Sequence, residues 1–192
     1  VHDATKRYGL LPRSYVLYVG VLEPRKDVPT LIAAFRRLAD TRPGLVLALG
    51  GKRGWMAEAV DAAIARAGLG DRIRILGYVP EADLPALISG AAVFAYPSLY
   101  EGFGLPVLEA MACGTPVVTT RVSAMPEVAG DAALMVEPGD PAALGLALAQ
   151  VLDQPAFAAE LAQRGLAAAG RFSWARCARE SVAVYEGCVV TG

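Results

Sequence analysis

The chain has 192 residues, 55% of them hydrophobic, with a formal charge of −1 and three cysteines. That length holds one well-buried domain, and the near-neutral balance argues against a general nucleic-acid binder, which carries a basic footprint. Alanine supplies much of the apolar content, and no run approaches the roughly 18 apolar residues that suggest a membrane span. Cys113, Cys177 and Cys188 have the spacing of neither a zinc site nor a disulfide framework, so a reducing cytoplasmic setting is expected. The single histidine, His2, lies beside the chain start, where a disordered terminus is the common outcome, so Ser/His/Asp hydrolysis is not expected.

The apolar pattern of residues 15–21 predicts a buried strand ending in the charged turn Leu22-Glu-Pro-Arg-Lys-Asp27. Leu31, Ile32, Phe35 and Leu38 recur at helical spacing while Arg36 and Arg37 fall outward, which predicts a helix over 28–40. After Pro43-Gly44 come a strand over 45–49, a loop at Gly50-Gly-Lys-Arg-Gly54, and a helix over 55–67 stopped by Gly68. The alternation continues with strand 72–76, turn 77–80, helix 81–89, strand 91–96, helix 105–113 and strands 116–119 and 133–136. Helices over 141–152, 155–169 and 174–189 close the chain. Such units predict an α/β fold, a Rossmann-like, mostly parallel sheet with helices on both faces. Ligands of such sheets sit beyond the carboxyl ends of the strands, so the loops at 20–27, 50–54, 77–80 and 97–104 should gather on one edge.

One of these loops carries the clearest chemistry. Glu101-Gly-Phe-Gly-Leu-Pro-Val-Leu-Glu109 sets two carboxylates on either side of a glycine-bearing turn that leads into a helix. A helix start offers unpaired N–H groups and partial positive charge, which suits phosphate, and Gly102 and Gly104 let a ligand approach the backbone. An ionised carboxylate only accepts hydrogen bonds and can take two neighbouring hydroxyls, as a sugar diol presents. The turn therefore reads as a site for a phosphorylated sugar.

Tyr15-Val-Leu-Tyr-Val-Gly20, Glu23-Pro-Arg-Lys-Asp27, Gly77-Tyr-Val-Pro80, Pro97-Ser-Leu-Tyr-Glu-Gly-Phe-Gly104, Glu109-Ala-Met-Ala-Cys-Gly-Thr-Pro116, Pro126-Glu-Val-Ala-Gly130 and Phe172-Ser-Trp174 stand in order along the chain. Together they resemble family 4 of the retaining glycosyltransferases, enzymes of the GT-B architecture. The resemblance implies one half of a GT-B enzyme: residues 15–192 as the nucleotide-sugar-binding domain with its C-terminal helices, residues 1–14 as a remnant of the interdomain linker, and an N-terminal acceptor domain absent from this chain.

The resemblance also implies roles. Glu101 would contact the transferred sugar, Lys26 the diphosphate, and Glu109 the ribose, while Tyr78 and Val79 match the segment that lines the base pocket. Tyr78 taken alone reads as a core residue. The backbone of Gly102, Phe103, Gly104 and Leu105 would hold the sugar and adjoining phosphate, and the Phe103 ring reads equally as packing under the turn. Where many family members carry a phosphate-contacting arginine this chain has Val21, so either Arg25 takes over that contact or the phosphate is held less tightly. Gly51 reads either as a close-approach position for the ligand or as a plain turn residue.

The implied activity is transfer of a hexose from a nucleoside-diphosphate sugar to a glycan or lipid-linked acceptor, by front-face displacement without a metal or other cofactor. The Glu-Pro-Arg-Lys-Asp form of the loop points to mannose from GDP-mannose in surface-polysaccharide assembly, with a UDP-sugar as the other donor class. A nucleotide-sugar-binding or interaction module without transfer of its own is the alternative. The residue after Gly20 opens no Gly-x-Gly-x-x-Gly sequence, and the chain has no Walker sequence and no Asp-x-Asp, which disfavours a dinucleotide oxidoreductase, a P-loop nucleotidase and a metal-dependent transferase. Neither a nucleic-acid partner nor a membrane span is expected. The full protein is expected in the cytoplasm, with the other domain as the route to peripheral association at the inner membrane face.

Overall fold

The computed structural model describes the backbone of residues 2–189 and the side chains of 5–188, so the His2 side chain lies outside the described residues. Six strands form the centre: β1 (Tyr15–Val19), β2 (Val46–Gly50), β3 (Ile73–Gly77), β4 (Val93–Tyr96), β5 (Val117–Thr120) and β6 (Leu134–Val136). They make one sheet in the order β3-β2-β1-β4-β5-β6, parallel throughout. The inner strands β4 and β5 are buried at every residue, as both-sided covering of a parallel sheet requires.

The helices are α1 (His2–Arg7), α2 (Val28–Ala39), α3 (Glu58–Ala67), α4 (Leu84–Gly90), α5 (Leu105–Ala112), α6 (Met125–Ala129), α7 (Pro141–Asp153), α8 (Pro155–Ala169) and α9 (Trp174–Val189). Strand order reverses between β1 and β4, so right-handed connections put α2 and α3 on one face and α5 on the other. α7 packs beside α2 and also covers β4, β5 and β6, while α8 packs on α5 and reaches β5. Glycines permit these approaches: a side chain at Gly145 would meet the Ala34 carbonyl of α2 at 3.4 Å, and one at Gly165 would meet Met111 of α5 at 3.4 Å. The start of α7 is capped by Asp140, whose carboxylate accepts from the N–H groups of Ala142 and Ala143 at 2.8 and 2.9 Å.

Two helix starts lie later than the periodicity predicts. The helix expected from residue 55 begins at Glu58, because Met56 sits at a φ of 53°, outside helical backbone. The helix expected from 81 begins at Leu84, with Pro85 in its first turn. Two short helices, α1 and α6, are additions to the expected set. Segment 5–14 is packed on the domain: Arg7 and Tyr8 contact Asp83 at 2.6 and 2.9 Å, Leu10 is buried, and Arg13 N–H donates to Gly90 at 2.7 Å. By contrast, every described side chain of α9 is exposed.

Candidate functional site

The chain leaves β1 and β4, neighbours in the sheet, in opposite directions, which opens a crevice at their carboxyl ends. Its floor is aromatic. Tyr18 and Tyr96 are buried and stack with ring centroids 5.7 Å apart. The Tyr18 hydroxyl donates to the Val21 carbonyl at 3.0 Å and so holds the loop above it. That loop turns through a single 3-10 turn at Pro24–Lys26 and closes at Asp27 with a φ of 46°. Leu99 N–H donates to the Arg25 carbonyl at 2.8 Å, joining the loop after β1 to the loop after β4.

Within the crevice the structure brings Arg25, Lys26 and Glu101 into direct contact. The Lys26 ammonium donates to Glu101 Oε1 and, at 2.5 Å, to the Tyr96 hydroxyl; only 5% of Lys26 and 7% of Glu101 is exposed. Ser98 Oγ donates to the same Oε1 at 2.7 Å, and Arg25 Nη1 approaches Oε2 at 3.2 Å. Arg25 also pairs with Glu23 at 2.6 Å, yet half of its side chain faces solvent. Of the two cations, Arg25 is thus the one open to an incoming anion, while Lys26 is committed to the carboxylate. Burial by itself would raise the Glu101 pKa, but hydrogen bonds from Lys26 and Ser98, the Lys26 charge and Tyr96 outweigh it, leaving the carboxyl below its ordinary value. Glu101 is therefore an ionised acceptor. Both lone pairs of Oε1 are taken, which leaves Oε2 as the more open carboxylate oxygen, and the two-hydroxyl grip expected from sequence would need Oε1 to exchange partners.

Beyond Glu101 the backbone opens. Glu101 N–H donates to Ser123 Oγ at 2.9 Å, whereas the N–H groups of Gly102, Phe103, Gly104 and Leu105 have no acceptor among the described residues. Leu105 opens α5 and Gly104 caps it, so these amides lie at and just before the helix's positive end. Gly104 has a φ of 95°, a conformation that demands glycine, and a side chain there would also have to displace the Met125 methyl. The Phe103 ring packs edge to face on Phe172 at 5.7 Å.

The remaining candidates line a second group of loops. Gly51 has a φ of 136° and lies so close to the Gly20 carbonyl that any side chain would overlap it, which explains this glycine by contact between the loops after β1 and β2. Val79 is buried against Gly50, whereas Tyr78 is exposed with the Lys52 ammonium 5.0 Å from its ring centre, outside the core position it suggests when read alone. Glu109 is solvent-exposed on α5; desolvation by the surrounding protein, then the charge of Glu81, raise its pKa. Among the described residues no hydrogen bond or ion pair joins Glu109, Tyr78 or Val79 to the Glu101 cluster.

Tyr96, Ser98 and Ser123 escaped sequence reasoning. Tyr96 closes a predicted strand and Ser98 lies two residues on, so the rule that ligands gather at strand ends could have flagged both. Ser123 gave no signal, because its role depends on a φ of 40°. Among the described residues no group of three or more His, Cys, Asp or Glu is placed to hold a metal ion, and no single helix is long and apolar enough to cross a membrane.

Comparison with known proteins accords with this geometry. The family model for glycosyl transferases group 1 matches residues 6–167. The chain is 42% identical over 182 residues to the O-antigen chain mannosyltransferase B of Escherichia coli, covering 94% of this chain and 48% of that one. With the MMP alpha-(1->4)-mannosyltransferase of Mycolicibacterium hassiacum it shares 41% identity over 130 residues, 66% of this chain and 32% of the other. Among solved structures, sucrose-phosphate synthase from Thermosynechococcus elongatus superposes with a TM-score of 0.86 at 31% identity, over all of this chain and 50% of that one. Anabaena Alr3699/HepE, solved with UDP and glucose, superposes with a TM-score of 0.85 at 25% identity, over 96% of this chain and 51% of that one. The chain thus spans about half the length of these O-antigen and structural relatives. With the family model matched over most of its length, this chain belongs to the group 1 glycosyl transferases.

Proposed function

We propose that this chain is the donor-binding half of a retaining mannosyltransferase that moves mannose from GDP-mannose to a glycan or lipid-linked acceptor, residues 1–14 leading from the acceptor-binding half. The observation that carries the reading is the buried Lys26–Glu101 pair beneath four unpaired amides at the switch-point crevice. The amides and Arg25 would hold the diphosphate, where negative charge grows as the glycosidic bond breaks. Glu101, ionised, would accept from a sugar hydroxyl and orient the ring, with Lys26 keeping the carboxylate in place. The leaving phosphate oxygen would take the acceptor's proton, so the mechanism asks no nucleophile of the protein.

Support for mannose comes from the 42%-identical relative, which is named a mannosyltransferase. Support for guanine comes from the Glu23-Pro-Arg-Lys-Asp27 form of the loop after β1, which resembles that of members using GDP-mannose. Glu109 would take the ribose hydroxyls, between base and phosphates.

Calorimetry of the chain with GDP, GDP-mannose, UDP and UDP-glucose tests the reading. Tightest binding is expected for GDP-mannose. Binding of the uridine nucleotides alone would replace the base assignment, and silence with all four would end the donor-site reading.

A further inference from the structure

Ser123 occupies backbone that favours glycine. Its φ is 40°, in the left-handed region where L side chains are strained. Its hydroxyl accepts from Glu101 N–H at 2.9 Å across the gap between the loops after β5 and β4. Glycine would relieve the backbone but could not supply that oxygen. Two residues on, the buried Met125 closes against Gly104, so the segment after β5 braces the turn at both ends, at Glu101 by a hydrogen bond and at Gly104 by contact. The bond to Ser123 also distinguishes Glu101 from the four residues after it, whose amides stay open to a ligand.

We propose that Ser123 is a positioning residue for the transferred sugar: by fixing the Glu101 backbone it aims the Glu101 carboxylate, and so sets the sugar contact separately from the nucleotide contact. This rests on the donor-site reading above. Ser98, Lys26 and Arg25 fix the far end of the same side chain, so that Glu101 is held at its amide and at its carboxylate.

The ratio of dissociation constants for GDP and GDP-mannose, measured by calorimetry on the chain, reports what the sugar adds. Ser123→Gly accepts a φ of 40° and is expected to keep its affinity for GDP while the sugar's added affinity falls roughly three- to tenfold, the worth of one hydrogen bond. Faster hydrogen exchange at the Glu101 amide should accompany the loss. Ser123→Ala, which keeps the strained backbone and lacks the oxygen, is expected to lose the same increment. An unchanged ratio in a folded Ser123→Gly chain overturns the proposal. An equal loss for GDP and GDP-mannose does so too, because Ser123 would then serve the fold alone. Failure of the native chain to bind GDP at all would overturn the underlying donor-site reading instead.

Discussion

Phe103 meets Phe172 edge to face, with ring centroids 5.7 Å apart, so the turn that presents the open amides leans on a residue two positions before α9. Such a pair adds about 0.5–1.5 kcal/mol beyond simple burial. A double-mutant cycle in urea with Phe103→Leu and Phe172→Leu is expected to give a coupling near 1 kcal/mol. Strictly additive losses would show that the rings do not support one another.

Lys26 and Glu101 form a buried ion pair, and removing one partner strands the other. Lys26→Met is expected to cost about 3–5 kcal/mol, or roughly 6–20 °C in Tm for a domain of this size. Adding Glu101→Leu should recover most of that stability while removing the affinity that the sugar adds, so that GDP-mannose binds no more tightly than GDP. Thermal unfolding and calorimetry on the pair of variants check both halves; a double variant as unstable as Lys26→Met would mean that the pair is not what the single change breaks.

The two site glutamates should respond to pH with opposite signs. Glu101 has a depressed folded pKa, so its contribution to stability is complete above the ordinary glutamate value and is lost as pH falls through the folded one. Glu109 has a raised folded pKa, so its contribution is present in acid and is lost as pH rises through the folded value. Urea unfolding between about pH 3 and about pH 7 is expected to show a flatter acid limb for Glu101→Gln. Glu109→Gln should instead gain stability at neutral pH. Parallel profiles for both variants and the native chain would contradict the opposed shifts.

Arg25 follows Val21 by four residues in the same loop, Val21 standing where the resemblance implies a phosphate-contacting arginine, and half of the Arg25 side chain is open to solvent. Arg25→Ala is expected to weaken GDP binding roughly 10- to 100-fold, the range for a hydrogen bond to a charged group. Val21→Arg in the same chain should restore much of it, since Val21 is itself exposed at the end of β1. Failure of Val21→Arg to rescue, with the chain folded, would show that the two positions do not face the same phosphate.

Much of the fold was legible because parallel strands buried on both faces read as short apolar runs, and glycine or proline marks their ends. All six strands and their order along the chain follow from that pattern. The errors fall where local signals compete. Trp55 and Met56 look helical by composition, yet both are exposed in a turn that the Met56 backbone prevents from becoming helix. Segment 5–14 has no periodicity to read, because what orders it is Asp83, a partner distant in sequence. At the site, Arg25, Lys26 and Glu101 were all identifiable from their strand-end loops. Their division of labour was not, since burial separates a committed Lys26 from an open Arg25.

By itself the sequence determined the sheet, the edge on which the site lies and the residue types gathered there, because strand periodicity, turn glycines and helix starts are local properties of the chain. The tertiary structure decided which of these groups touch. Lys26 and Ser123 reach Glu101 only because β1, β4 and β5 lie side by side in the sheet. The state of that carboxylate follows from the convergence: burial opposes its charge, and the partners brought by neighbouring strands prevail.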